Sequence, residues 1–294
     1  MRGFLKDFFY LLRPDHWIKN FLVLAPPFFG GVLFTNSHIF LKMFLAFIAF
    51  SLASSTAYII NDIFDINSDR LHPKKKMRPL ASGRIKVFAA GVLAVVTLAL
   101  SLTASLEISL YFLILTLSYL ALSLLYSFYL QRIEIIDVFC IALGFVLRIE
   151  AGGVASAIEV SNWLLLTTFL LSLLLAFGKR RHELDLHNES ENTFRDVLSK
   201  YNSKFLDTTL GIFATTALVT YAIYTVEIES RKLLFTVPFA IYGVLRYMYL
   251  VQTDTRGDPT ESLLTDRPLF LCVLMWFLIT AGIIYFKDIV GFLK

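Results

Sequence analysis

The segment Asn61-Asp62-Ile63-Phe64-Asp65-Ile66-Asn67-Ser68-Asp69 closes a long apolar run. On a helix, positions i, i+3 and i+7 share a face, so Asp62, Asp65 and Asp69 fall within about 60° of one another. Asn61 lies at the edge of that face, four residues before Asp65. Three carboxylates on one face repel, and at the end of an apolar segment they are costly unless a cation neutralises them. Hard oxygen donors suit Mg2+, which keeps water and bridges to phosphate oxygens. The plainer reading is a helix end whose acids meet water.

A basic run follows at once: Arg70-Leu71-His72-Pro73-Lys74-Lys75-Lys76-Met77-Arg78-Pro79. Acids beside bases supply both halves of a metal–phosphate site, the metal bridging carboxylate to diphosphate and the cations taking the remaining oxygens. Arg78, held between the acidic motif and Pro79, is read as functional. The Lys74–Lys76 run also reads as a topology signal that attracts anionic lipid.

A second motif is Gly178-Lys179-Arg180-Arg181-His182-Glu183-Leu184-Asp185. If the helix before it continues, Glu183 is i+4 from Lys179 and i+3 from Arg180. Either these are helix-stabilising pairs, or Lys179 and Arg180 form a second anion clamp, with Glu183 orienting the basic groups or sharing the metal. Arg148 lies deep in an apolar run, where an arginine is a functional candidate by default, and Glu150 is a nearby alternative partner. Lys19 either holds a lipid phosphate or snorkels to the membrane surface, and Trp17 reads as an interfacial anchor. The polar loop Gly257–Pro268 suggests no chemistry by its spacing.

The elements that must position these residues are membrane spans. Of 294 residues, 57% are hydrophobic and only 17% charged, more apolar surface than one soluble core of this size can hide. Nine apolar runs are candidate spans: Phe21–Phe34, Ile39–Ile60, Val87–Leu106, Ser109–Leu130, Ile135–Ala157, Trp163–Phe177, Phe205–Val226, Leu233–Val251 and Leu269–Phe286. The first is short and is expected to be kinked or broken, since it contains Pro26-Pro27 and Gly30-Gly31. The sixth is expected to continue into the polar segment after it.

Loops at Met1–Lys19, Asn67–Lys86, Gln131–Glu134, Lys179–Lys204 and Gln252–Pro268 hold 20 of the chain's 27 Lys and Arg. The positive-inside rule then puts the N-terminus and both motifs in the cytoplasm and, with nine spans, the C-terminus outside. The expectation is an all-α polytopic membrane protein, one domain over residues 1–294, with cytoplasmic loops at 67–86 and 179–204. No cleavable signal pattern is expected; the start reads as an interfacial amphipathic segment. Cys140 and Cys272 sit in apolar runs and read as packing residues.

These residues resemble the UbiA superfamily of membrane prenyltransferases, whose first signature Asn61-Asp62-x-x-Asp65-x-x-x-Asp69 matches. Several segments are similar to its decaprenyl-phosphate phosphoribosyltransferase branch. They are Leu12-Arg13-Pro14 with Trp17 and Lys19-Asn20, Asp69-Arg70-x-His72-Pro73 with Lys75 and Arg78-Pro79, Arg148 with Gly152-Gly153, Gly178-Lys179-Arg180 with Glu183-Leu184, and Asp266-Arg267. The resemblance implies a UbiA-like bundle with a cytoplasm-facing cavity in a bacterial inner membrane. Asp62, Asp65 and Asp69 would bind Mg2+ and, with Glu183, be catalytic. Lys19, Asn61, His72, Lys74, Arg78, Arg148, Lys179 and Arg180 would hold substrate. Where typical superfamily members carry a second aspartate motif, this chain has Lys179, Arg180 and Glu183, which suits a substrate richer in phosphate.

The implied reaction moves 5-phosphoribose from phosphoribosyl diphosphate to a polyprenyl phosphate. The alternatives are prenyl transfer from a prenyl diphosphate to an aromatic acceptor, and transport of an anionic solute; the charges cluster at one face rather than along a path, against transport. No nucleic-acid partner is expected, and a homo-oligomer is left open.

Overall fold

The computed structural model describes residues 2–34, 37–71, 75–189, 198, 200–227, 231–253 and 258–292. Regular structure among them is helical: α1 (Arg2–Leu12), a 3-10 segment (Pro14–Leu24), α2 (Ala25–Phe29), α3 (Ser37–Phe64), α4 (Ile66–Leu71), α5 (Val87–Ile108), α6 (Leu110–Phe128), α7 (Ile136–Ser156), α8 (Asn162–Glu189), α9 (Ser203–Glu227), α10 (Val237–Thr253), α11 (Pro259–Thr265) and α12 (Arg267–Phe292). Among the described residues, eight helices are long and apolar enough to cross a membrane. They correspond to the last eight of the nine apolar runs. The chain is an integral membrane protein. It divides into two compact units, Met1–Phe128 with Leu147–Glu159, and Tyr129–Val146 with Val160–Lys294.

In the first unit α3 packs along α5. Without a hydrophobic drive between helices in lipid, small residues let backbones approach and polar ones bind across. Ala90, Ala94, Thr97, Ser101 and Ser105 recur at helical spacing on α5, and all are buried. Ser101 Oγ donates to Ala49 O at 2.8 Å, Thr56 and Thr97 hydroxyls bond at 2.8 Å, and Ser105 Oγ reaches Thr116 Oγ1 of α6 at 3.1 Å.

The expected first span, Phe21–Phe34, is not a continuous helix. Pro26 and Pro27 remove two backbone donors, so an α-helix through this run would lose its bonds there; Pro14–Leu24 is 3-10 and α2 has only five residues. With three residues per turn, Trp17, Asn20 and Val23 line one side. Trp17 Nε1 donates to Ser55 Oγ at 3.0 Å, Asn20 Nδ2 to Ser51 and Ser54 Oγ at 3.2 and 3.1 Å, and Phe21 packs on Phe47 at 4.8 Å. The segment therefore runs antiparallel along α3.

Gly152 of α7 lets this segment lie close, since a Cβ there would overlap the Val23 carbonyl. The carbonyl is backbone and cannot rotate away. Gly152→Ala should lower stability by about 1–3 kcal/mol, measured as the unfolding midpoint in detergent.

In the second unit α8 and α9 pack together. Phe177 stacks on Phe213 at 5.5 Å within a core of Leu173, Leu174, Leu206 and Leu210. The sixth apolar run does continue, as α8 to Glu189. Tyr247 of α10 donates its hydroxyl to Leu175 O at 3.1 Å, and its ring fills the place a Cβ at Gly178 would take. Cys140 and Cys272 are free and buried.

Candidate functional site

The aspartates sit where α3 gives way to α4. α3 ends at Phe64 and Asp65 is a turn, but the helical course persists: Asp65 N–H donates to Asn61 O at 2.9 Å and Asp69 N–H to Asp65 O at 2.8 Å. The i, i+3, i+7 face therefore survives the break. Asp62 and Asp69 are each only 3% exposed, whereas Asp65 is half-buried and accepts from Asn61 Nδ2 at 2.9 Å.

Arginines neutralise the buried pair. Arg78 Nη1 donates to Asp62 Oδ1 at 3.0 Å and to Asp69 Oδ2 at 2.7 Å, and Arg13 Nη2 reaches Asp62 Oδ1 at 2.6 Å. Lys75 Nζ lies 3.9 Å from Asp69 Oδ1. Two buried acids thus face three bases.

The loop after Arg78 fixes that side chain. Ser82 N–H donates to Arg78 O at 2.9 Å and Ile85 N–H to Pro79 O at 3.1 Å, while Gly83 turns at φ 76°. Leu80 and Ile85 plug into a core with Leu11 and Ile59. Arg13 is held differently. It has φ 50° immediately before Pro14, a left-handed conformation that costs an L-residue about 1–2 kcal/mol. Such strain persists only where surroundings over-determine it; here they are the Asp62 bond and the Tyr58 ring, 4.9 Å from the Arg13 guanidinium.

The aspartate donor set fits Mg2+. Among the described residues no three His, Cys, Asp or Glu side chains converge as a cage. Mg2+ does not need one, because it is commonly held by one or two carboxylates plus phosphates and water. Asp62 and Asp69 both bond the same Arg78 nitrogen, so two carboxylates already converge on one point of positive charge.

Further along α3 a polar ladder descends from the aspartates. His16 Nδ1 bonds Tyr58 Oη at 3.2 Å. Beyond Trp17 and Asn20, Arg148 Nε donates to Asn20 Oδ1 at 2.8 Å and Nη2 to Tyr119 Oη at 3.0 Å. Lys19 is half-buried on the 3-10 segment beside Asn20.

The second unit holds its own charge cluster on α8. Arg180 is 1% exposed; its Nε donates to Asp137 Oδ2 and its Nη1 to Glu183 Oε2, each at 2.6 Å. Arg181 Nε donates to Asp207 Oδ1 at 2.8 Å, and its Nη1 pairs with Asp185. Lys179 Nζ donates to Asp258 Oδ2 at 2.6 Å. Asp258 also caps α11, accepting from Thr260 N–H at 3.0 Å.

Burial works against the Asp258 charge, but the Lys179 ammonium, its hydrogen bond and the Thr260 and Glu261 N–H groups outweigh it, holding the carboxyl below its ordinary value. A folded pKa below the unfolded one gives stability that is full above the unfolded value and lost as pH falls through the folded value. The unfolding midpoint should therefore decline in acid below about pH 4. Asp258→Asn should reduce that decline, read by thermal unfolding across a pH series.

The sequence profile of the UbiA prenyltransferase family matches residues 23–270. This chain belongs to the UbiA prenyltransferase family. It is an enzyme. It is 35% identical to the decaprenyl-phosphate phosphoribosyltransferase of Mycolicibacterium smegmatis, covering 94% of this chain and 92% of that one. The Corynebacterium glutamicum protein of the same name is also 35% identical, over 90% and 82% of the two chains. A UbiA homolog from Archaeoglobus fulgidus, bound to DMAPP and Mg2+, has the same fold at TM-score 0.73 and 21% identity, covering 95% of this chain and 99% of that chain.

Within this UbiA protein, Asn61, Asp62, Asp65, Asp69 and Arg78 come together in one cluster, and Arg180 and Glu183 in another. Lys179 joins Asp258 rather than an i+4 partner. His72 and Lys74 lie outside the described residues. Sequence reasoning missed Arg13, Asp137 and Asp258 in these UbiA clusters. Arg13 had a signal in its place beside Pro14 and Trp17. Asp137 and Asp258 had none, since each meets its cation across more than forty residues.

Proposed function

We propose that this enzyme transfers 5-phosphoribose from phosphoribosyl diphosphate to a polyprenyl phosphate and releases diphosphate. The observation that carries the reading is the buried Asp62–Arg78–Asp69 bridge, with Arg13 and Lys75 around it. Acids and bases so interleaved suit a metal-bound diphosphate. The names of the relatives, similar over nearly the whole chain, support the phosphoribosyl donor.

Mg2+ bound at Asp62, Asp65 and Asp69 would supply charge stabilisation for the diphosphate leaving group. Arg78 and Arg13 hold the aspartates in place and offer guanidinium N–H donors to phosphate oxygens. A phosphate oxygen of the lipid attacks the anomeric carbon. The carbon–oxygen bond to diphosphate breaks, and its electron pair leaves with the diphosphate. The transition state is oxocarbenium-like, as in glycosyl transfer. An anionic phosphate needs little help from a base, so the protein's work is positioning and charge stabilisation. Lys179 and Glu183 are the charged groups that the second motif contributes to the reaction.

The basic loops and the aspartates face the cytoplasm of a bacterial inner membrane, with the C-terminus outside. The lipid enters sideways from the bilayer.

The test is incubation of the purified enzyme in detergent with Mg2+, radiolabelled phosphoribosyl diphosphate and polyprenyl phosphates of several lengths. Label should enter the organic phase and cease to do so with chelator. Unlabelled lipid from folded protein would instead direct the same assay to prenyl diphosphates and ring acceptors.

A further inference from the structure

α7 begins at a strained corner. Ile135 has φ 67°, and its N–H donates to Tyr201 Oη at 2.5 Å. Tyr201 Oη donates in turn to Asp137 Oδ1 at 3.0 Å. The other Asp137 oxygen accepts from Arg180 Nε, and Arg180 Nη1 donates to Glu183. A Lys200–Glu134 pair at 2.8 Å braces the same corner. Burial, and then the Asp137 charge, raise the Tyr201 hydroxyl pKa above its ordinary value, so it stays a donor.

The series starts in the core and ends near solvent. Asp137 and Arg180 are 0% and 1% exposed, whereas Glu183 is 23% exposed. The guanidinium is planar, so fixing its Nε edge on Asp137 fixes where Nη1 points. The buried Asp137 can offer none of its own charge to a ligand.

We infer that Asp137 and Tyr201 are positioning residues that act through Arg180 to fix the direction and charge of Glu183. Arg180 is then an internal strut, and Glu183 is the acidic group that the second motif presents. The inference rests on the reading of Glu183 as part of the reacting site. Ligand-orienting partners of this kind commonly affect activity by about 10–100-fold.

The experiment is a double-mutant cycle on the purified full-length enzyme: wild type, Asp137→Asn, Glu183→Gln and the double variant, with kcat, KM for phosphoribosyl diphosphate and unfolding midpoint for each. Asp137→Asn should lower kcat about tenfold with KM little changed. Glu183→Gln should lower it about 10²-fold, and the double variant should be no worse than Glu183→Gln alone, because both act at one group. Losses that multiply, or an Asp137→Asn variant with wild-type kcat and only a lower midpoint, would overturn the inference.

If Asp137→Asn does not fold, Tyr201→Phe runs the same cycle. A wild type that makes no phosphoribosylated lipid refutes the proposed reaction instead. The cycle is then measured with a prenyl diphosphate and a ring acceptor, where non-multiplying losses sustain the positioning role and multiplying ones reject it.

Discussion

Asp62→Asn should lower turnover by about 10²–10³-fold in protein that remains folded. Asp62 is the most heavily bonded of the three aspartates, taking Arg13 at 2.6 Å and Arg78 at 3.0 Å on one oxygen. Asparagine has the same shape and keeps an oxygen that both guanidinium groups can reach, so packing changes little. The charge is what goes. Asp69, the remaining buried carboxylate, would still face Arg78 and Lys75, Arg13 would lose its anion, and the cluster would turn net positive. On the proposed reading, a site that takes a metal and a diphosphate together would lose one of its carboxylates. Asp65→Asn is the useful comparison, because Asp65 is bonded to Asn61 and half-buried. Its loss should appear in turnover with less change in the unfolding midpoint. Folded Asp62→Asn enzyme working within a few-fold of wild type would remove the aspartate face from the reacting site.

Arg180→Ala should destabilise the protein by about 3–5 kcal/mol, the scale expected when one partner of a buried ion pair is removed. Asp137 is fully buried and, among the described residues, would keep only the Tyr201 hydroxyl as a side-chain partner. Arg180→Lys keeps a positive charge but cannot span two carboxylates with a planar fork, so it should recover only part of the stability. The combination Arg180→Met with Asp137→Leu replaces the pair by apolar groups, a change that is often near neutral for stability. That variant should fold yet remain impaired in turnover, since Glu183 loses its orienting partner. Chemical unfolding in detergent, with activity measured on the same samples, separates the two effects. Arg180→Ala protein as stable as wild type would mean that Asp137 is solvated through some route other than Arg180.

The amino-acid order by itself determined the class and the first motif. Composition demanded a bilayer, because so much apolar side chain has no other solvent. Helical periodicity put Asp62, Asp65 and Asp69 on one face, and this local geometry held even though α3 breaks at Asp65. It also put Arg180 within reach of Glu183, since i, i+3 neighbours are set by the helix alone.

What crosses long stretches of chain was decided by the tertiary structure. Arg13 reaches Asp62 only because an interrupted segment lies antiparallel on α3, and that path depends on Pro14, Pro26-Pro27 and the space left by Gly152. The role of Arg180 likewise depends on Asp137, which periodicity cannot pair with it. From sequence its charge suggested a phosphate clamp; in the fold its Nε and Nη1 are already bonded to carboxylates. A side chain's charge is a local property, but whether that charge is available to a ligand is settled by what else is buried beside it.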